Sequence, residues 1–137
     1  MEKTLYDKNG DAVAYISSDY HETIYLWDGS PVAYLYEEEH VYGINGRHLG
    51  WFIGDILFDN NGKRIAFTSG SCPVTITKEP VKIEKRARDE IQPRWAASPR
   101  PKLSFDFAEQ EPADLFRDGE AFRLRKEEPP EESEDSR

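Results

Sequence analysis

The sequence has 137 residues, of which 37% are hydrophobic and 33% are charged, and its formal net charge is −9. Its single cysteine, Cys72, excludes an intrachain disulfide and a cysteine-based metal cluster. No stretch approaches the ~20 apolar residues of a membrane span, and the amino terminus shows no apolar signal region. The composition therefore predicts a cytoplasmic protein that does not engage a membrane.

The charge is unevenly distributed along the chain. Residues 1–72 carry a net charge of −6, residues 73–102 carry +4, and residues 103–137 carry −7. An acidic surface opposes contact with phosphates, so nucleic acid is an unlikely partner of the first segment. The basic cluster of residues 85–88 lies beside Glu84, Asp89 and Glu90. This mixture favours a solvated face over a nucleic-acid interface.

A thirteen-residue pattern occurs four times in the first half of the chain and aligns without a gap. The copies are TLYDKNGDAVAYI (4–16), TIYLWDGSPVAYL (23–35), HVYGINGRHLGWF (40–52) and ILFDNNGKRIAFT (56–68). Each has two apolar and aromatic runs around Asn-Gly or Asp-Gly, the strongest short-range signal for a β-hairpin. The repeat therefore predicts four hairpins.

Two turn geometries fit each copy. A type I′ turn pairs Tyr6 with Val13, whereas a type I turn with a glycine bulge pairs Leu5 with Val13. Because the two registers place opposite side chains on a given face, the sequence does not decide which aromatic column points inward.

Four hairpins must bury their faces against one another, because an isolated hairpin is at best marginally stable in water. Small residues recur at one column, which suggests close backbone approach near a shared axis: Ala14, Ala33, Gly50 and Ala66. The prediction is an all-β domain of four pseudo-symmetric β-hairpin repeats that form a ring or barrel-like cluster, followed by a largely disordered C-terminal extension.

The repeated [LIV]-[YF]-x-x-[ND]-G-x-x-[VLI]-[AG]-[YWF] pattern, together with the charged, proline-containing extension, resembles the four-fold beta flower family. The resemblance covers about half of the chain. It implies a pseudo-symmetric fold of four hairpins, and it brings no catalytic residues and no activity that could be transferred.

Three segments are predicted. Residues 1–72 form the repeat domain, residues 73–92 hold a possible extra strand at 73–77 and a mixed-charge connector, and residues 93–137 form a proline-containing acidic tail that is mostly disordered. The apolar patches at 103–107 and 113–116 are typical of docking segments, and they also suit folding back onto the domain. A fragment that ends near Ser71 is expected to fold alone.

Two sets of candidate binding residues follow. One aromatic column consists of Tyr15, Tyr34, Trp51 and Phe67. These side chains could line a ligand-binding cup on the axis or fill the core, and the core is the favoured interpretation. A protein partner could dock on a hairpin tip or on the tail patches: Trp27, Phe105, Phe107, Leu115 and Phe116.

Catalytic and metal chemistry have weak sequence support. Asp7 and Asp59 precede two turns, where a carboxylate accepts turn N–H groups, although paired acids also serve hydrolases. His21, His40 and His48 lack the spacing of zinc motifs and are interpreted as solvated, so no metal or cofactor is predicted. The sequence favours a non-enzymatic interaction module for an unknown protein partner; the alternative is a small-ligand cup, and a hydrolase is the least favoured.

Overall fold

The computed structural model describes residues 2–121, and those residues form eight strands and one helix. The strands are β1 (Lys3–Tyr6), β2 (Ala12–Ile16), β3 (Thr23–Leu26), β4 (Pro31–Tyr36), β5 (His40–Gly43), β6 (His48–Ile53), β7 (Ile56–Asp59) and β8 (Arg64–Phe67). The helix is α1 (Pro112–Arg117). It does not have the length or the apolar character needed to cross a membrane, and no other helix occurs in residues 2–121.

The strands form a closed antiparallel barrel in sequence order. Each thirteen-residue copy is one hairpin, and the barrel closes where Tyr6 of β1 pairs with Phe67 of β8. The predicted all-β architecture of four hairpins is confirmed. One end of the barrel holds the four Asn-Gly or Asp-Gly turns and is called the turn end. The other holds the links between hairpins, which include residues 17–22, 37–39 and 54–55, and is called the connector end.

The hairpin turns have the bulged geometry, but the strands pair in neither of the predicted registers. In the first copy, Gly10 N donates to Asp7 O at 3.0 Å, and Asp7 N donates to Asp11 O at 2.9 Å. Gly10 has a φ of +86°, the left-handed conformation that glycine accepts without steric cost. A further bulge at Val13 makes Leu5 pair with Ala14, and the same irregularity recurs in all four hairpins. Both predicted pairings with Val13 were therefore wrong.

This extra bulge settles which side chains point inward. Leu5 and Ala14 face each other across the first hairpin, so both project into the barrel, and the bulged residues of the other copies join them. The inner set belongs to one buried cluster: Leu5, Ala14, Ile24, Val32, Ala33, Val41, Leu49, Leu57, Ile65 and Ala66. The core is thus built from aliphatic residues, and the aromatic columns take the outer face.

Helix α1 closes the turn end of the barrel. Phe116 is fully buried and Leu115 is 7% exposed, and both belong to the same cluster as the inner strand residues. Asn45 of the third turn holds the residues after the helix: its backbone N donates to Gly119 O at 3.1 Å, and its Nδ2 donates to Asp118 O at 2.7 Å. The C-terminal region therefore completes the core that the hairpins begin.

Residues 73–107, called the belt, run around the barrel and meet each turn glycine in the same way. Four belt amides donate to glycine carbonyls: Thr77 to Gly10 (2.9 Å), Arg86 to Gly29 (2.9 Å), Trp95 to Gly46 (2.8 Å) and Ser104 to Gly62 (3.0 Å). The donors are nine residues apart each time. The belt is thus a second, hidden repeat that matches the pseudo-four-fold symmetry of the barrel.

Three predictions about this region need correction. Residues 73–77 are not a strand, because the closed barrel has no free edge there and Thr77 bonds to a turn carbonyl instead. Residues 93–121 are not disordered, because the belt and α1 pack on the barrel. The acidic segment 126–137, also predicted to be disordered, lies outside the described residues. A fragment ending near Ser71 would lack Phe116 and the belt, so we do not expect it to fold stably.

Candidate functional site

The predicted aromatic column lies on the outer face of the barrel. Each of its members sits where two hairpins pair: Tyr15 opposite Tyr25, Tyr34 opposite Tyr42, Trp51 opposite Phe58, and Phe67 opposite Tyr6. The four rings are therefore distributed around the barrel at four separate seams. They do not gather in one cup on the axis.

Belt cations cover three of these four seams. Lys82 Nζ lies 4.3 Å from the Tyr15 ring centroid, and the Arg94 guanidinium lies 3.7 Å from the centroid of Tyr36. The Arg100 guanidinium lies 5.4 Å from the Trp51 centroid. Such contacts contribute about 0.5–2 kcal/mol each, depending on desolvation. The rings are thus occupied by the chain itself.

The basic cluster of residues 85–88 is largely exposed to solvent, as predicted, and its three cations also contact the barrel. Lys85 Nζ forms an ion pair with Glu2 at 2.8 Å, and the hydrogen bond that Lys85 donates to the Glu2 carboxylate raises the pKa of Lys85. Arg86 donates to Ser30 Oγ, and Arg88 donates to Thr23 Oγ1 at 3.1 Å. These cations therefore help to attach the belt to the barrel.

Most of the predicted partner-binding residues contact the chain's own fold. The Trp27 indole N–H donates to Pro80 O at 3.1 Å. Leu115 and Phe116 are buried in the core, and Phe107 packs edge-on against Phe67 with centroids 6.0 Å apart. Phe105 is 86% exposed and is the member of this set that is most available to a partner.

Asp7 and Asp59 have equivalent structural roles in two turns. Asp7 Oδ1 accepts hydrogen bonds from the backbone N of Asn9 and Asp11, at 2.9 and 3.0 Å. Asp59 Oδ1 accepts from Asn61 and Lys63, both at 2.9 Å. Each carboxylate is thus committed to its own turn.

His40 and His48 come together because β5 pairs with β6. His40 Nδ1 lies 3.1 Å from His48 Nε2, and both rings contact Trp51. Burial, with a smaller contribution from the charge of His40, lowers the pKa of His48 to about 4. The pair is therefore half-buried and not solvated. No group of three or more metal-ligating side chains occurs in residues 2–121.

The depressed pKa of His48 predicts a pH-dependent stability. The pKa of His48 is about 6.5 in the unfolded chain and about 4 in the folded chain. His48 therefore does not change the free energy of unfolding above pH 6.5, and it lowers that free energy as the pH falls towards 4. This shift corresponds to about 3.4 kcal/mol, but because the ring is partly exposed to solvent we expect a smaller loss in the free energy of unfolding, about 2 kcal/mol, measured by urea titration at each pH. His48→Gln should flatten the profile in this window; an unchanged profile would contradict the assignment.

A cleft of about 450 Å³ lies at the connector end of the barrel. The cleft lies over the mouth of the barrel, because its lining comes from three hairpins and the first two connectors. The lining residues are Lys3, Ile16, Ser17, Ser18, Asp19, Glu22, Leu35, Glu38 and Phe52. Ile16, Leu35 and Phe52 pack against the core and form an apolar floor. We call this the open-end cleft.

Acidic side chains form the rim of the open-end cleft. Burial raises the pKa of Asp19, but hydrogen bonds from Thr23 and the nearby charge of Arg88 outweigh it, and the net effect is a lowered pKa. Glu22 and Glu38 add two further carboxylates. The single cation of the rim, Lys3, lies 3.5 Å from Asp55. The cleft therefore combines an apolar floor with a negative rim.

The residues of the candidate cup lie one position before those that form the floor of the open-end cleft. Ile16, Leu35 and Phe52 directly follow the aromatic column in their copies. Because the bulge sends Tyr15 and its equivalents outward, the next residue points towards the mouth of the barrel. The acidic composition of the connectors is the sequence signal for this cleft, but composition alone does not place the connectors at the barrel axis.

The comparisons with known proteins concern the family alone. The profile of the family described as 4-fold beta flower protein matches residues 3–116, which span the hairpins, the belt and nearly all of α1. No curated protein and no solved structure was found to match the chain. The family has no known catalytic function. Because the match covers more than half of the sequence, the chain belongs to the 4-fold beta flower family.

Proposed function

We propose that the chain is a non-enzymatic interaction module, and that it binds a basic segment of a partner protein at the open-end cleft. The observation that carries the proposal is the combination of an apolar floor and an acidic rim at the mouth of the barrel. A lysine or arginine side chain matches both features, because its methylene stem packs on apolar surface while its charged head meets a carboxylate.

The backbone at the connector end supports this proposal. Within residues 2–121, every non-glycine residue with a positive φ is acidic, and all of them lie in the connectors: Glu22 (53°), Glu37 (53°), Glu38 (68°) and Asp55 (64°). Glycine would adopt these angles at lower cost, and strained backbone conformations are concentrated at functional sites. A requirement for carboxylates at this end of the barrel explains why glycine is not used.

The other surfaces offer less to a partner. Three of the aromatic seams are covered by belt cations, and the carboxylates of Asp7 and Asp59 are held in turns. These contacts support binding over catalysis, and they favour the open end over the aromatic column.

The test is a calorimetric titration of the full chain with acetyl-Lys-Leu-Lys-Leu-amide. Glu38→Gln should weaken binding about threefold, because one solvent-screened carboxylate contributes about 0.5–1 kcal/mol. Glu109→Gln, which removes an exposed acid outside the cleft, is the matched control and should leave the affinity unchanged.

Two further ligands define the chemistry. Acetyl-Glu-Leu-Glu-Leu-amide should not bind, because its charges are repelled by the rim. Binding of n-hexylamine as strongly as the basic peptide would indicate a small-molecule amine site instead of a peptide site. Absence of binding by both cationic ligands, or an equal effect of the two glutamate variants, would contradict the proposal.

A further inference from the structure

The His48 ring joins the barrel to the belt beside the seam at which Trp51 faces Phe58. Its Nδ1 accepts a hydrogen bond from the backbone N of Ser98, a half-buried belt residue, at 3.4 Å. Its Nε2 lies 3.1 Å from His40 Nδ1. A neutral imidazole has one donor and one acceptor nitrogen, so acceptance at Nδ1 places the ring proton on Nε2, which donates it to His40. The neutral ring therefore satisfies both contacts at once.

Protonation of Nδ1 is incompatible with the contact to the belt. An imidazolium donates from both nitrogens, so its Nδ1–H would face the N–H of Ser98, and two donors do not bond to each other. The Trp51 centroid lies 5.0 Å from the His48 centroid and 5.4 Å from the Arg100 guanidinium. The proton would thus remove a hydrogen bond to the belt and place a second cation near a belt arginine.

Asn60 supplies an alternative acceptor on the barrel itself. Its Nδ2 donates to the backbone O of His48 at 2.9 Å, which fixes the orientation of the amide. Its Oδ1 is buried and has no hydrogen-bond partner among residues 2–121, a costly state for an acceptor. Burial and the charge of His40 lower the pKa of His48, and a hydrogen bond with the Asn60 side chain opposes them. The protonated ring therefore has a partner within reach that the neutral ring does not use.

The other titratable groups near His48 do not neutralise an imidazolium. They come from the neighbouring elements: His40 and Tyr42 of β5, Arg47 before β6, Asp59 of β7, Asp118 after α1, and Arg100 of the belt. Asp59 and Asp118 line a surface cleft with His48, but neither is among the causes of its pKa shift. No ion pair between His48 and a carboxylate occurs in residues 2–121.

We propose that His48 is a proton-operated latch that holds the belt over Trp51. When Nδ1 takes up a proton, the ring exchanges its bond with Ser98 for one with Asn60 Oδ1, and residues 96–103 detach from the barrel. Acid thus uncovers the Trp51 ring while the barrel stays folded.

The detachment is confined to one seam by the bonds at its two ends. Trp95 N and Ser104 N donate to turn glycine carbonyls at 2.8 and 3.0 Å, and neither bond involves a group that titrates. Between them, Arg100 pairs with Glu39 at 3.2 Å, and both side chains are about half exposed. Such a pair contributes little in solvent, so it does not hold the segment by itself.

The test is acrylamide quenching in Trp27→Phe/Trp95→Phe, which leaves Trp51 as the single tryptophan. Trp51 is 5% exposed, so its Stern–Volmer constant should be low at pH 7. The constant should rise at least about twofold by pH 4 and fall again on neutralisation, while the far-UV circular dichroism stays unchanged. Adding His48→Gln should abolish the rise, because a neutral amide oxygen accepts from the belt and takes up no proton. His21→Gln, which removes an exposed imidazole elsewhere, is the matched control and should retain the rise.

Hydrogen exchange of the unsubstituted chain gives a second readout that does not depend on the tryptophan substitutions. Relative to an unstructured peptide at the same pH, the Ser98 amide should lose its protection between pH 7 and pH 4, whereas the Arg86 amide, in the belt at another turn, should keep it. Quenching that does not rise, or that rises equally in His48→Gln, would overturn the latch. Parallel loss of protection at both amides, or loss of the dichroism signal, would show global unfolding and overturn it as well.

Discussion

Phe116→Ala should lower the free energy of unfolding of the full chain by about 3–5 kcal/mol, the usual cost of truncating a fully buried phenylalanine. Phe116 is 0% exposed and packs among the aliphatic residues inside the barrel. Its removal leaves a cavity at the turn end that the rigid strands cannot fill. Urea denaturation followed by tryptophan fluorescence gives the change directly.

Phe105→Ala is the control for this prediction. Phe105 has the same chemistry but is 86% exposed, so its substitution should change the free energy of unfolding by less than about 0.5 kcal/mol. Equal and small effects of the two variants would mean that α1 does not enter the barrel, and that the core consists of the hairpins alone.

Gly46→Ala should destabilise the chain by about 3 kcal/mol, since two effects add. Gly46 has a φ of +96°, which an alanine adopts only with strain. Its new Cβ would also overlap the carbonyl of Pro93 in the belt. The backbone hydrogen bond from Trp95 N to Gly46 O, 2.8 Å long, should be lost with the belt contact.

Gly54→Ala separates the two effects. Gly54 has a φ of +59°, but no atom lies within 4 Å of the position that a Cβ would take. This variant should therefore lower the free energy of unfolding by about 1–2 kcal/mol, from backbone strain alone. If both glycine variants lower the free energy of unfolding by the same amount in denaturant titrations, the belt does not contact the third turn closely.

The four hairpins could be predicted from the sequence because their turns need particular residues. Gly10 and its equivalents take a positive φ that few other residues tolerate, so the repeat retains the glycine in every copy. The bulge at Val13 has no comparable signature: it needs no glycine, and it shifts the pairing of Leu5 to Ala14. This unpredicted bulge places the aromatic columns on the outer face of the barrel, a question that the repeat pattern alone left open.

The belt was not predictable from residue identity. Its contacts with the turn glycines use backbone N–H and C=O groups, which every residue except proline can supply in full. The four donors therefore differ in side chain: Thr77, Arg86, Trp95 and Ser104. The region reads as a polar, proline-containing linker, although its cations and its nine-residue spacing match the barrel that it surrounds.

The open-end cleft was predictable only in part. A barrel mouth on the axis follows from four-fold repetition, but its lining depends on which columns face inward. The acidic connectors were visible in the sequence, whereas the left-handed conformation of Glu22 and Glu38 was not, because a residue other than glycine seldom adopts a positive φ.

Amide hydrogen exchange of the full chain tests most directly the claim that the belt and α1 belong to the domain, on which the proposed binding face at the connector end depends. The decisive amides are those of Thr77, Arg86, Trp95 and Ser104, each bonded to a turn glycine carbonyl at 2.8–3.0 Å. The account predicts that all four exchange at least about a hundredfold more slowly than amides of an unstructured peptide. Exchange of all four at the unstructured rate would show that residues 73–107 are a free tail, and the search for a partner would then return to that tail.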